Sequence, residues 1–279
     1  MAPRLSDGAI TPTIETLLKG LLRTLLVLLH DFPDYLSENH FTLCNLIPPG
    51  CVQLKNLVLS AFPRMKRLPD PFMEGLKLED IVENKDPPII SVNITAILDG
   101  LRIRAPLDKY LQTKAPEDFI RKLVERIRIV PTDNGVQNGV RPGKEKRPYY
   151  NVDLLNAVVL YVGMQAIESS QKNEETGVLI FDPKSPHMAF FSALNAELDI
   201  EGIFGDILTD FLGRYHFLSA AANQLRYPNS HTYYFSCAIL ELFLQEAGAP
   251  HTNEQITRVL LERIVCNRPH PVYTLRNCC

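Results

Sequence analysis

The chain has 279 residues, enough for one large domain or two average ones, and its 46% hydrophobic content supports a sizeable core. Its 29 Lys+Arg against 32 Asp+Glu leave a net charge of -3, which excludes a broadly basic nucleic-acid-binding surface. With 21 Pro against 14 Gly, and too many hydrophobic residues for a disordered Pro-rich chain, proline reads as punctuation between ordered elements.

Residues 1–10 carry no secretory signal and are expected to be a disordered N-terminus. From Thr11 to His30 the set Ile14, Leu17, Leu18, Leu21, Leu22, Leu25, Leu26 and Leu29 follows helical spacing, with Thr11 as N-cap and Pro12 at the first helical position. Its apolar part, Leu17 to Leu29, includes Lys19 and Arg23 and falls short of the ~20 residues a bilayer span needs. Leu54, Leu57, Val58, Ala61 and Phe62 predict a second helix stopped by Pro63. Residues 63–75 contain Pro63, Pro69 and Pro71 and are expected to be an extended connector.

Phe119, Ile120, Leu123, Val124 and Ile127 predict a helix entered at Pro116 and left at Pro131. Residues 131–148, rich in Gly, Pro and charge, read as a solvated loop between helical blocks at about 11–130 and 149–271. The next helix runs through Leu154, Leu155, Val158, Val159, Val162 and Ala166 behind an Asn151 cap. Ser185-Pro186 opens another with Met188, Phe191, Leu194 and Leu198. Tyr233, Cys237, Leu240 and Phe243 mark one capped by Asn229 or Ser230. Thr252 and Gln255 form a capping box for Ile256, Val259, Leu260 and Ile264. No stretch alternates long enough for a sheet. The fold class is all-α, and roughly ten helices joined by short turns fit a helical-repeat stack better than a four-helix bundle.

Chemistry-bearing motifs are scarce. There is no phosphate-binding loop, dinucleotide fingerprint, nucleophile elbow or zincin motif. Six cysteines are scattered without paired C-x-x-C spacing, as in a reduced, intracellular protein, and the Cys278-Cys279 ending lacks the GTPase body that would make it a prenylation signal. His40 and Cys44 lie four apart but lack the further ligands of a zinc site; they read as a buried thiol beside a partly exposed histidine. His30-Asp31 reads as a histidine at a helix C-terminus. The basic clusters Arg64–Arg67 and Arg141–Arg147 offer the alternative of an RNA-binding helical repeat. The densest polar-aromatic segment, Ala222 to Phe235, suits either inter-helix hydrogen bonding or a protein-binding hot spot.

That segment carries a resemblance. N-Q-L-R-Y-P-N-S-H-T-x-Y-F-S at 223–236 and I-T-R-V-L-L-E-R-I-V-x-N-R-P-H-P at 256–271 resemble the C-terminal domain of the Not-one scaffold of the CCR–NOT deadenylase complex. L-L-V-L-L-H-D-F-P at 25–33, I-P-P at 47–49, L-S-A-F-P-R at 59–64, R-L-P-D-P-F at 67–72 and N-A-V-V-L-Y-V-G-M-Q-A-I at 156–167 continue it in order.

The resemblance implies a HEAT-like stack of antiparallel helices, residues 11–271, a non-catalytic domain without cofactor, metal, membrane or small-molecule substrate. In the family it docks the Not-two and Not-three/Not-five subunits and supports mRNA deadenylation, mRNA decay and translational and transcriptional repression, in cytoplasm and nucleus. RNA contact is then at most indirect or weak. Asn223, Gln224, Arg226, Tyr227, His231, Arg258, Arg263 and Arg268 become the partner-binding candidates, since Arg and aromatic side chains are common interface anchors.

The sequence departs from the family in three ways. The sequence opens just before this domain, so the nuclease-binding regions of the family's long N-terminal part are not expected within it. Residues 203–213 look inserted, with Gly205 and Gly213 favouring a bulge or loop. Residues 272–279 read as a divergent, truncated tail, so the last helix is expected to expose apolar surface meant for a neighbour.

Overall fold

Proline and asparagine set many of the helix boundaries. In the computed structural model, residues 12–48, 51–67, 70, 72–77, 81–129, 149–200, 212–245 and 250–264 are described. Pro12 opens α1 (Pro12–Asp31) and Pro33 opens α2 (Pro33–Glu38), followed by α3 (His40–Leu46) and α4 (Val52–Leu59). A 3-10 turn at Val82–Lys85 leads to α5 (Ile94–Gly100), whose N-cap Asn93 accepts from the Ala96 amide at 3.0 Å. Then come α6 (Arg104–Thr113) and α7 (Phe119–Ile127). The predicted Asn151 cap of α8 (Val152–Ser169) accepts from the Leu154 amide at 3.0 Å. Ser185 caps α9 (Pro186–Ile200), its hydroxyl accepting from the Met188 amide at 3.2 Å. After α10 (Leu212–Ala222), Asn229 caps α11 (Ser230–Gln245) by accepting from the Thr232 amide at 3.0 Å. The last element is α12 (Pro250–Ile264).

Twelve α-helices among the described residues make the fold all-α, as the periodicity predicts. The only pairing of named strands there joins Arg128–Ile129 to Tyr149–Tyr150, antiparallel, on either side of residues 131–148. Residues 1–11, 131–148 and 272–279, and hence the readings of a disordered N-terminus, a solvated loop and a truncated tail, lie outside the described residues.

Helix α8 is the axle. Residues 157–163 are buried without interruption, so all of its faces are covered. Helices α5, α7, α9, α10 and α11 pack around it. Its composition would pass for a membrane span, but here it is the core helix of a helical stack. Gly163 is required at the α11 crossing, because a Cβ there would collide with the Phe235 ring. A second, smaller core forms among α1–α4 from Leu25, Leu36, Cys44, Ile47, Leu54, Leu57, Val58, Leu59 and Ala61.

Several local expectations change. Of the leucine stripe in α1 only Leu25 is buried, while Leu17, Leu21, Leu22 and Leu26 face outward; among the described residues the helix packs chiefly along one narrow line on α2 and α4. The described residues of the 63–75 connector are non-helical as expected, but hydrogen bonds from the Lys66 amide to the Pro63 carbonyl and from the Met73 amide to the Asp70 carbonyl bend it out of a straight run. Pro116 lies in the turn ahead of α7 rather than at its first position, with the Phe119 amide bonded to its carbonyl at 3.1 Å. Thr252 and Gln255 do not form a capping box: α12 begins earlier, at Pro250, and both side chains are buried within it. Gly213 is helical, not a bulge, and lets α10 approach Tyr150 and Leu198, whose atoms would stand 2.9–3.1 Å from an added Cβ.

Candidate functional site

The conspicuous segment 223–236 forms the turn from α10 into α11, and most of it is inside the protein. Gln224, Arg226, Tyr227 and His231 are all buried, at 4–5% exposure, and Arg263 is buried against the same turn at 4%. Burial gives these five candidates a fold-holding task in place of the surface contact expected of them. The Arg226 guanidinium donates from Nη1 to the Ser37 carbonyl at 2.8 Å and lies 5.3 Å from the Tyr227 ring centroid. Arg263 donates from Nε to the Ala222 carbonyl at 3.3 Å and from Nη2 to the Leu225 carbonyl at 2.9 Å; its Nη1 donates to Asn56 Oδ1. Asn56 in turn donates to the Glu262 carbonyl at 2.6 Å. The Arg263 guanidinium thus supplies donors to carbonyls at and just beyond the end of α10, and that of Arg226 supplies one to α2. The same bonds join the α1–α4 cluster to the main core, helped by Asn156 donating to Asn45 at 2.7 Å.

Electrostatics follow from this burial. Desolvation, then the neighbouring Arg226 charge, pushes the His231 imidazole down to about 3 and holds that of His40 well below its usual value. His40 is itself fully buried rather than partly exposed, its Nδ1 3.0 Å from the Ser37 carbonyl. Burial pulls Arg226 down to about 10 and pushes the Cys44 thiol up to about 11, so that this thiol is inert at neutral pH. No group of His, Cys, Asp and Glu among the described residues is placed to hold a metal ion.

The accessible part of the neighbourhood is a crevice where α4, α8, α10 and α12 meet. Val52, Lys55, Asn156, His216, Asn223 and Glu262 are among its walls, and it encloses about 40 Å³. Of the candidates, Asn223 opens into it, half-buried, and its side-chain amide bonds to no described residue. Arg258 sits at the edge, fully on the surface, 3.1 Å from Glu262 Oε1 and 5.6 Å from the Tyr215 ring centroid. Glu262 Oε2 accepts from the Tyr215 hydroxyl at 2.6 Å, and burial followed by that bond pushes the phenol up to about 12. Burial, then the nearby Lys55 charge, lowers His216 to about 4, which leaves it neutral at pH 7. Arg268, the eighth candidate, lies outside the described residues.

Lys55, Asn156, Tyr215, Ser219 and Glu262 had no local sequence signal, because four helices distant in the chain bring them together. Beside the crevice Phe243, Thr257, Arg258, Leu261 and Glu262 line an open groove of about 590 Å³. Leu17, Leu26 and Val27 on α1 are 45–55% exposed and form a second apolar surface. Of the basic clusters, Arg64 donates to the Asp31 carbonyl and Lys66 pairs with Asp86 at 3.0 Å, so both tie the connector down. Residues 141–147 lie outside the described residues.

A helical stack with small polar crevices and exposed apolar faces defines a scaffold-type domain. The chain belongs to the Not1 family: the family model described as "CCR4-Not complex component, Not1" matches residues 1–274. It is 41% identical over 272 residues to the CCR4-NOT transcription complex subunit let-711 of Caenorhabditis elegans, covering 97% of this chain and 9% of that protein. It is 36% identical over 270 residues to general negative regulator of transcription subunit 1 of Schizosaccharomyces pombe, covering 96% of this chain and 12% of that protein. The structure of the NOT1 superfamily homology domain from Chaetomium thermophilum superposes with a TM-score of 0.78 at 28% identity, over 99% of this chain and 51% of that one. A Not1 C-terminal domain solved in complex with Not4 superposes at 0.73 with 29% identity, over 95% of this chain and 51% of that one. The chain thus spans about half the length of those solved domains and roughly a tenth of the relatives.

Proposed function

We propose that this chain is a non-catalytic docking domain of a CCR4-Not scaffold, which binds Not-two and Not-three/Not-five type subunits and so supports mRNA deadenylation, decay and repression in cytoplasm and nucleus. The observation that carries the reading is family membership along almost the whole chain. The molecule's surface agrees with it: beside the crevice of about 40 Å³ lies an open groove of about 590 Å³ that exposes Phe243 and Leu261, as a docking face does. A Not4-type subunit is the second occupant to consider, since one similar domain was solved with Not4 bound. An RNA-binding role is weaker, because Arg64 and Lys66 are engaged within the fold.

The test is a pull-down and sedimentation assay of the folded, monodisperse chain with recombinant Not-two/Not-three-type heterodimer, and separately with a Not4-type subunit. Stable complexes are expected with the heterodimer. Failure to bind either, by a chain that unfolds cooperatively, refutes the docking reading.

A further inference from the structure

Lys55 is a half-buried cation without an ion pair or hydrogen bond among the described residues. Lys19, Lys66 and Lys122, by contrast, each hold a carboxylate at 2.6–3.0 Å. Burying a charge is costly unless a counter-charge accompanies it, and burial does pull the Lys55 ammonium below its usual range. No described carboxylate forms an ion pair with it. Asp153 acts on Lys55 from beyond ion-pair distance. The Glu262 carboxylate is shared between the Tyr215 hydroxyl and Arg258. Asn56 and Arg263 are spent on each other, and the Asn223 amide is available. The enclosed volume of about 40 Å³ equals roughly three water sites, which suits a carboxylate head group.

We infer that this crevice receives an aspartate or glutamate side chain from an extended segment of a partner subunit, with Lys55 as its counter-ion and the Asn223 amide as a second donor. The inference rests on the docking reading above. The groove beyond shares Glu262 with the crevice, so the same segment continues over Phe243 and Leu261, which are 38% and 54% exposed. An acidic residue with an apolar one near it in the segment is therefore the pattern this surface selects.

Two measurements on the whole chain test it. A short Gly/Ser peptide with one central Glu, and its Gln counterpart, are titrated while the Lys55 ammonium and Asn223 amide are followed by NMR, with Lys122 as a surface reference. The Glu peptide is expected to move Lys55 and Asn223 but not Lys122, the Gln peptide to move neither, and Lys55→Met to abolish the response. In the second measurement, Lys55→Met is expected to weaken heterodimer binding about tenfold or more at unchanged helicity and Tm. Equal responses to the two peptides overturn the inference. So does a Lys55→Met variant that binds the heterodimer like the wild type, while leaving the docking reading intact. A wild type that answers the Glu peptide yet ignores the heterodimer upholds the carboxylate site and overturns the docking reading.

Discussion

Acid should loosen this domain well before its carboxylates titrate. His40, His216 and His231 are buried, and burial lowers each one, reinforced by Arg226 at His40 and His231 and by Lys55 at His216. Unfolding releases each imidazole to its ordinary value near 6.5, so below that pH the unfolded chain binds protons that the folded chain refuses. Stability contributed by these neutral histidines is complete above about pH 6.5 and is lost as pH falls toward their folded values. At pH 5 a site held at about 4 and one held at about 3 lose nearly the same amount, about 2 kcal/mol each, because both remain neutral in the fold.

His216 and His231 together therefore lose about 4 kcal/mol between pH 7.5 and 5, and His40 adds in the same direction. That is a large share of the roughly 5–15 kcal/mol that holds an ordinary domain folded. The assay is urea unfolding followed by helical circular dichroism at pH 7.5, 6 and 5, repeated on His231→Gln. The wild type should lose several kcal/mol, with a steepening slope below pH 6.5, and the variant should lose about 2 kcal/mol less over the same range. Equal stability at pH 7.5 and 5, or an NMR titration of His216 or His231 centred near 6.5, refutes the reasoning.

The two buried guanidiniums should respond differently to the same change. Arg263→Met removes hydrogen bonds to Ala222, Leu225 and Asn56 and takes the guanidinium donor from the buried Leu225 carbonyl, so a loss of about 3 kcal/mol in urea unfolding is expected. Arg226 Nε and Nη2 have no hydrogen-bond partner among the described residues, so Arg226→Met should cost far less, and less acid sensitivity should accompany it because His40 and His231 lose a neighbouring charge. On α1, Leu17→Lys with Leu26→Lys should leave stability within about 0.5 kcal/mol and reduce self-association in sedimentation, since both leucines face outward; a loss above 1 kcal/mol would mean that the face is covered.

Long helices with a wide apolar stripe were legible from spacing alone. Phe119, Ile120, Leu123, Val124 and Ile127 of α7 are all buried as the pattern requires, and Asn151 caps α8 as its position predicts. Helices α2, α3 and α5, of six or seven residues, are too short to show a period, and the longer α6 carries only Leu107 and Leu111 as buried markers. The α1 stripe misleads because periodicity reports that a face is apolar, not that a partner lies against it. The same ambiguity governs the 223–236 segment. Arg, Tyr, Asn and His serve equally as interface anchors and as satisfiers of buried carbonyls, and only burial separates the roles. It sends Arg226 and Arg263 inward and leaves Asn223 and Arg258 accessible.

The crevice and the seam between the two cores are one piece of architecture. Asn56 and Arg263, which bond across the seam, line the crevice together with Lys55 of α4 and Asn223 at the end of α10. A ligand that engages Lys55 and Asn223 therefore bridges the elements that Arg263 holds together. Anything that binds only the assembled seam stabilises it, by about 2.7 kcal/mol at a hundredfold excess over Kd. Linkage also runs in reverse: a seam weakened at Arg263 must weaken such a ligand, although Arg263 itself is occupied with Ala222, Leu225 and Asn56. A buried arginine of this fold can therefore behave in a binding screen like a contact residue. Separating the two roles requires the unfolding free energy of each variant beside its affinity, because only a positioning residue lowers both.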